Sequence, residues 1–105
     1  MAGIPAGSNF FTSLFTTLSR RKVADLFTAI GFDVRKSGWY DFELFTPWAE
    51  LVIEAEAPIL MHGSVSDVLI HAETLLDCLR GAEVSFDAEC YDPDGVLLRE
   101  WRVIF

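Results

Sequence analysis

Pairs of carboxylates two residues apart are the first groups in this chain that could do chemistry. Asp41 and Glu43 form one such pair, and Glu54 and Glu56 form another. On a strand, the two side chains of each pair would project from one face about 6–7 Å apart, a separation compatible with hydrolytic carboxylate pairs. Any solvated strand also carries such pairs, since acidic side chains are rarely buried. We therefore interpret them as surface groups and predict no catalytic residue among them.

The histidines and cysteines offer the other candidates for catalysis. On a helix, Asp67 would lie one turn before His71 and could orient its imidazole, and Cys78 would follow seven residues later. A Cys–His pair is a nucleophilic arrangement, but seven residues span roughly 10 Å along a helix, too far for a hydrogen bond. Cys78 and Cys90 fall at inward-facing positions, so we predict two free thiols that act as small apolar groups in a reducing cytoplasm.

Signatures of metal or phosphate binding are missing from the sequence. The spacings C-x-x-C, H-x-x-x-H and E-x-x-H do not occur, and neither do the glycine loops G-x-G-x-x-G and G-x-x-x-x-G-K. Metal sites need three or four converging ligands, and phosphate loops need backbone N–H groups freed by glycine. We expect no metal, no cofactor and no enzymatic activity.

Charge is distributed unevenly along the chain, whose net charge is −8. Residues 1–36 carry five Lys/Arg and two Asp, whereas residues 37–105 carry three Arg and 14 Asp/Glu. The basic clusters at 20–22 and 35–36 are too small to predict nucleic-acid binding, which requires broad neutralisation of phosphates. An acidic surface instead speeds encounters with basic proteins.

Most of the acids recur at every second position of strand-like runs, which places them on one face of a β-sheet. The predicted acidic face comprises Asp41, Glu43, Glu50, Glu54, Glu56, Asp87 and Glu89. Trp39 and Trp48 flank the break at Pro47 and are candidate aromatic anchors, because Trp and Tyr dominate interface hot spots. The same two side chains could instead fill the core, since aromatic residues are also good strand formers.

The elements that must position these residues begin after a lead-in, residues 1–8, that we expect to be flexible. Helical spacing of apolar residues predicts a helix near 10–18 and a second one that starts at the N-cap Ser19 and is closed by Gly31. Whether residues 9–30 form one bent helix or two is left open. The apolar residues of the two stretches are Phe10, Phe11, Leu14, Phe15, Leu18, Val23, Leu26, Phe27 and Ile30.

From residue 39 the apolar period changes to two, which predicts strands. Strands over 39–46 and 49–57 would form a hairpin, and 59–62 is either a third strand or the end of a bent second one. Gly63 is read as a turn. The last helix would begin at the N-cap Ser66, bury a stripe from Val68 to Leu79 and be closed by Gly81 as its C-terminal cap.

A hairpin over residues 84–105, with a turn at 92–95, ends the chain and has two possible registers. The turn chemistry favours Asp92 opposite Val96, whereas the apolar pattern favours Tyr91 opposite Val96 and Phe86 opposite Trp101. A slip of one residue moves every side chain to the other face, so we predict the register that buries the apolar residues.

These elements predict one α+β domain over residues 1–105, an antiparallel sheet of four or five strands with helices on one face, in the order α-α-β-β-(β)-α-β-β. We expect a non-enzymatic cytoplasmic protein of inhibitor or immunity type, whose acidic face binds a basic protein. The mean hydropathy of +0.32 predicts a homodimer that covers surplus apolar residues. No membrane partner is expected, since the longest apolar stretch is far below the ~20 residues that span a bilayer.

Two other functions remain open at this point. One is a homodimer that binds an apolar small molecule between sheet and helices, because ligand pockets are mostly apolar and concave. The other is a structural subunit docked on another chain through its N-terminal phenylalanines. The pocket of the first would be lined by Phe10, Phe11, Phe15, Phe27 and Phe42.

Overall fold

The computed structural model describes residues 7–39 and 41–105, so most of the predicted flexible lead-in, residues 1–6, lies outside the described residues. Within them the elements follow the order β-α-β-β-β-β-α-β-β. Their bounds are β1 Phe10–Phe15, α1 Arg20–Thr28, β2 Asp33–Ser37, β3 Asp41–Thr46, β4 Ala49–Glu54, β5 Ile59–Val65, α2 Val68–Gly81, β6 Ser85–Tyr91 and β7 Leu97–Val103.

All strands join one antiparallel sheet in the order β2-β3-β4-β5-β1-β6-β7. Both helices lie against the same face of this sheet, and α1 also contacts α2. The α+β class and the antiparallel sheet are therefore confirmed. The predicted number of four or five strands is wrong, because the described chain forms seven, and the predicted element order is wrong for the same reason.

The N-terminal segment is a strand and not the predicted helix. Phe10 and Leu14 are buried on the helix side, while Phe11 and Phe15 point to the opposite side and are exposed. Large apolar residues on both faces of a strand imitate the i, i+1, i+4, i+5 spacing of a helix. Tertiary pairing decides the outcome, since β1 lies in the middle of the sheet between β5 and β6.

Helix α1 starts and ends as predicted, which settles the question of one helix or two. The Ser19 hydroxyl accepts a hydrogen bond from the Lys22 N–H at 3.2 Å, the bond of an N-cap. Gly31 has a φ of +103°, and the N–H of Phe32 reaches back to the Phe27 carbonyl at 3.1 Å. This 6→1 bond reverses the chain into β2, an edge strand that the sequence patterns did not reveal.

The middle strands differ from prediction in their ends. Strand β3 begins at Asp41 and not at residue 39, and β4 stops at Glu54 because Ala55 takes a left-handed φ of +63°. Strand β5 runs through Gly63, so the predicted turn there is wrong. A Cβ at Gly63 would lie 2.0 Å from the Glu50 carbonyl oxygen on β4, which shows that glycine serves here as a point of close strand contact.

Helix α2 is confirmed, but both of its predicted caps are displaced. The N-cap residue is Asp67, with a φ of +46° and no side-chain capping bond, whereas the predicted Ser66 is buried just before it. Gly81 is the last helical residue. The left-handed position that closes the helix falls on Glu83, at φ +56°, where the Val84 N–H donates to the Leu79 carbonyl at 3.0 Å.

The predicted register of the C-terminal hairpin is wrong, because Tyr91 does not lie opposite Val96 and Phe86 does not lie opposite Trp101. At the turn, the Asp92 N–H donates to the Val96 carbonyl and Tyr91 pairs with Leu97, as the turn chemistry favoured. Beyond it, the pairing shifts so that Cys90 meets Arg99 and Phe86 meets Val103. A β-bulge at Leu98 thus satisfies both demands, because one extra residue restores Trp101 and Val103 to the helix side.

The core lies between the sheet and the two helices, and its largest fully buried side chains include Phe10, Phe27, Phe86, Leu44 and Leu76. Cys78 and Cys90 are free thiols, as predicted. Of the described helices, neither is long and apolar enough to cross a membrane.

Candidate functional site

The side of the sheet that carries no helix, which we call the open face, holds most of the predicted acidic residues. Alternation with buried neighbours on each strand fixes the direction of every side chain. Six of the seven predicted acids lie there: Asp41 and Glu43 on β3, Glu50 and Glu54 on β4, and Asp87 and Glu89 on β6. Two acids that the sequence analysis missed join them, Asp33 on β2 and Glu100 on β7.

Glu56 is the predicted acid that does not belong to this face. Because β4 ends at Glu54, Glu56 lies in the turn before β5. Its carboxylate accepts a hydrogen bond from Arg20 at the start of α1, at 3.2 Å. The side chain therefore ties the turn to the helix layer.

The two predicted aromatic anchors also lie off the open face. Trp48 is half-buried on the helix side, where its ring stacks on His71 at 4.3 Å and meets Phe32 edge-on at 5.4 Å. Trp39 is 84% exposed in the turn after β2, beside a depression that Arg21 and Lys36 also line. Trp48 thus takes the core role that the sequence had left open, and Trp39 neighbours cations.

Three of the acids on the open face are paired with basic side chains of the same chain. Arg35 donates to Glu43 at 2.7 Å and 3.0 Å, and Arg102 donates to Asp87 at 2.9 Å and 3.3 Å. Both pairs are exposed, and such pairs contribute little to stability. The third partner is a histidine.

That histidine is His62 on β5, whose Nε2 lies 2.8 Å from a carboxylate oxygen of Glu54. Its other nitrogen, Nδ1, lies 3.5 Å from the Ser8 hydroxyl. Ser, His and Glu in this order suggest a catalytic triad. However, the N–H that would serve an oxyanion hole, that of Asn9, is already donated to the Gly63 carbonyl at 2.9 Å. The cluster instead anchors the segment before β1 to β5.

An apolar strip separates two acidic borders on the open face. Phe11 is stacked near His62, with ring centroids 6.1 Å apart, and meets Tyr91 edge-on at 5.9 Å. Phe11, Phe15 and Leu60 are exposed, although Phe11 occupies the central strand. Phe11 and Leu60 line an open groove of about 820 Å³ that runs from β5 across to β7.

Cross-strand pairing gives the distance between the acidic rows on the two halves of the open face. Glu43 is paired with Val52, Val52 with His62, His62 with Phe11, and Phe11 with Glu89. Strands of a sheet lie about 4.8 Å apart, so Glu43 and Glu89 stand roughly 19 Å from each other. The open face is therefore wide enough to hold one helix or strand of another molecule between these two acids.

On the open face, two acidic side chains act on the Tyr91 hydroxyl. The Glu89 carboxylate, which is hydrogen-bonded to the Tyr91 hydroxyl, raises the pKa of that hydroxyl, and Glu100 adds to the effect. Glu100 stands directly opposite Glu89 on the neighbouring strand. Two like charges face each other there, an arrangement that favours an incoming cation.

The cysteine and histidine of α2 are unsuited to nucleophilic catalysis. Burial raises the pKa of the Cys78 thiol to about 11, so the thiol stays protonated near neutral pH. Its Sγ lies 3.4 Å from the Leu26 carbonyl. His71 Nδ1 is hydrogen-bonded to the backbone carbonyl of Ser66, which places the ring against Trp48 and gives it a structural task.

Other ligand chemistries find less support in the described residues. Across 7–39 and 41–105, no group of three or more His, Cys, Asp or Glu side chains is arranged to hold a metal ion. The five phenylalanines expected around an apolar ligand are split between the two sides of the sheet. Phe10, Phe27 and Phe42 belong to the filled core, while Phe11 and Phe15 lie on the open face.

Sequence reasoning missed the apolar part of the open face because it assigned Phe11 and Phe15 to a helix. A signal was available: Thr12 and, just after the strand, Thr16 and Thr17 are β-branched, and β-branched residues favour strands. His62 could be recognised only from the register, since its partner Glu54 lies on another strand.

Comparisons of the chain with models of protein families, with curated proteins and with solved structures found no match.

Proposed function

We propose that this protein is a non-enzymatic binding protein whose open face holds a basic segment of a protein partner. The observation that carries the proposal is the groove of about 820 Å³, in which the apolar Phe11 and Leu60 lie beside the acidic Asp87, Glu89 and Glu100. A segment that is basic on its flanks and apolar along its underside matches this arrangement. Inhibitor and immunity-type proteins belong to the same physical class.

The acidic borders would act mainly on association. Among the described residues, no ion pair involves Asp41, Glu50 or Glu89, so their charges are available to an incoming cation. Charge complementarity of this kind accelerates encounter and makes the rate depend on salt. Lys and Arg of the partner would then replace water around these carboxylates.

The apolar floor would supply much of the affinity. Phe11 lies at the centre of the sheet and yet is 38% exposed, with Leu60 similarly exposed on the next strand. Contact energy at interfaces concentrates in central aromatic side chains enclosed by polar rims. Phe11 takes the anchor role that the sequence had assigned to Trp39 and Trp48.

A cytoplasmic location and a homodimeric state complete the proposal. The two free thiols favour a reducing compartment. Exposed apolar residues cluster at the outer edge of β7, where a second copy could cover them. Nucleic acid and membrane are not proposed as partners, because the open face is acidic.

The test is a capture experiment with matched charge variants. Tagged wild-type protein, the double variant Glu50→Lys with Glu89→Lys, and the control Glu83→Lys with Asp94→Lys are incubated with the same lysate of the native host. Both variants change net charge equally, but Glu83 and Asp94 are exposed residues that lie outside the sheet strands. We expect a basic protein to be retained by the wild type and the control and lost from the open-face variant.

Binding kinetics with the captured protein then distinguish the effect of the acidic residues on association from the effect of the apolar contacts on dissociation. The open-face variant should slow association and flatten its dependence on salt, whereas Phe11→Ala should mainly speed dissociation. Equal capture by all three proteins, or an unchanged association rate, would contradict the acidic open face as the binding surface.

A further inference from the structure

Strand β7 is an edge of the sheet, and one of its sides is open. Two backbone hydrogen bonds at the hairpin show which residues of β6 direct their N–H and C=O groups toward β7. The Tyr91 N–H donates toward β1, to Asn9, whereas the next one along, that of Asp92, donates toward β7, to Val96. Successive residues of a strand direct their N–H and C=O groups to opposite neighbours. Cys90, Ala88 and Phe86 therefore face β7.

Their partners on β7 direct their backbone groups inward. Arg99, Trp101 and Val103 pair with the three residues just named. It follows that Glu100 and Arg102 direct their N–H and C=O groups away from the sheet, where no described strand accepts them. Such a row of free backbone groups is a template for another strand.

The open edge exposes apolar residues at both of its ends, on either side of the charged Glu100 and Arg102. Val96, Leu97 and Leu98 at one end and Ile104 and Phe105 at the other are exposed, Ile104 by 79%. Edge strands that are meant to stay unpaired usually carry charges or proline at such places. The opposite edge, β2, has the sequence DVRKS and shows the polar pattern expected of a solvated edge.

We propose that β7 pairs antiparallel with β7 of a second copy, so that the two sheets join into one. In the register that the charges select, Glu100 lies opposite the partner's Arg102 and Arg102 lies opposite the partner's Glu100. The two-fold axis then passes between the two Trp101 residues, and Leu98 meets the partner's Ile104. Both oppositely charged pairs lie on the open face.

Charge excludes the neighbouring registers. A shift of one residue would bring side chains of the open face against those of the helix side. A shift of two residues places either Glu100 opposite a second Glu100 or Arg102 opposite a second Arg102, and directly opposed like charges destabilise a sheet. The self-complementary register is the one that pairs both open-face charges of the edge, Glu100 and Arg102, with their opposites.

A second copy also resolves the like-charge contact within each chain. Glu100 stands directly opposite Glu89 on β6, and among the described residues no salt bridge includes Glu100, which interacts with Arg102 of its own chain only at longer range. Arg102 is held by Asp87 on its inner side, so its guanidinium already lies on the open face near the edge. In the dimer the partner's Arg102 would come beside Glu100 and offset that repulsion.

The experiment uses two single charge reversals that are predicted to complement each other. Glu100→Arg gives a chain with two arginines on the edge, and Arg102→Glu gives a chain with two glutamates. Each alone opposes like charges across the two-fold axis, but a mixed dimer pairs arginine with glutamate at both positions. Asp33→Arg, on the exposed β2 edge, is the matched control. Analytical ultracentrifugation of the purified proteins at low salt measures the dissociation constants.

We expect a dimer for the wild type and the control, a dissociation constant raised about tenfold or more for each single reversal, and recovery of the dimer when the two are mixed in equal amounts. Recovery also shows that both variants are folded. A monomeric wild type, single reversals that dimerise as well as the wild type, or a mixture that stays monomeric would each overturn the proposal. Disruption by Asp33→Arg alone would assign the interface to β2.

Discussion

The two faces of this sheet are made from the same strands, with side chains that alternate residue by residue, yet they are under different physical demands. On the helix side, Phe10, Leu44 and Phe86 are fully buried among side chains of α1 and α2. On the open face, Phe11 and Leu60 remain exposed between rows of acids. The first face must be filled without gaps, whereas the second is free to keep charge and apolar area for another molecule.

Among the substitutions that test the packing of this sheet, Gly63→Ala is expected to lower the free energy of unfolding most reliably. The new Cβ would lie 2.0 Å from the Glu50 carbonyl oxygen and 2.8 Å from Leu51 Cα, both of which are backbone atoms, so β4 and β5 must separate. We expect the free energy of unfolding to fall by about 3 kcal/mol or more. Denaturant titration measures it.

Gly81→Ala is its control, because a Cβ at the end of α2 meets nothing within 4 Å. That variant should gain up to about 1 kcal/mol from helix propensity. If Gly63→Ala unfolds at the same denaturant concentration as the wild type, the close strand contact at Gly63 is wrong.

Two leucines on opposite sides provide the next test. Leu76 of α2 is fully buried, and we expect Leu76→Ala to lower the free energy of unfolding by about 2–5 kcal/mol through the cavity it leaves. Leu60 lies on the open face, and Leu60→Ala should lower it by no more than about 1 kcal/mol. Equal losses in a urea titration would show that the open face is packed in the free protein.

The smallest expected effect is a dependence of stability on alkaline pH. Burial raises the pKa of the Cys78 thiol from its ordinary 9.0 to about 11, so the folded protein holds this proton more tightly than the unfolded chain does. The free energy of unfolding should therefore decrease as the pH rises from about 9 to about 11. Burial raises the pKa of Cys90 as well, which adds a decrease in the same direction.

Cys78→Ala should make that decrease shallower, as measured by urea unfolding at several pH values with a reducing agent present. An identical slope in the variant and the wild type would mean that Cys78 ionises equally easily in both states.

Prediction from sequence succeeded where a local signal had one interpretation. The two ends of α1 were predicted from Ser19 and Gly31. A helix start needs a capping hydroxyl and a helix end needs a residue that can adopt positive φ, and both are local requirements. Prediction failed where the same apolar residues fitted both the spacing of a helix and the alternation of a strand. Phe10, Phe11, Leu14 and Phe15 fit a helical stripe, but they form a strand with one apolar pair on each face.

The C-terminal hairpin shows a conflict that was recognised from the sequence but resolved only in three dimensions. The turn at 92–95 and the burial of Trp101 demand registers of different parity, and the bulge at Leu98 satisfies both. A bulge has no distinctive residue pattern of its own, so its position depends on the packing of β7 against its neighbours.

The acidic face was largely predictable, because alternation on a strand depends only on local geometry. Asp41, Glu43, Glu50, Glu54, Asp87 and Glu89 share one face, as their spacing required. The order of the strands is a matter of long-range pairing. Only that order places Phe11 and His62 between the two acidic borders, and only the register sets Glu100 opposite Glu89 at an open edge. Composition and alternation therefore determined which charges exist and which way they point, while tertiary pairing decided what lies between them.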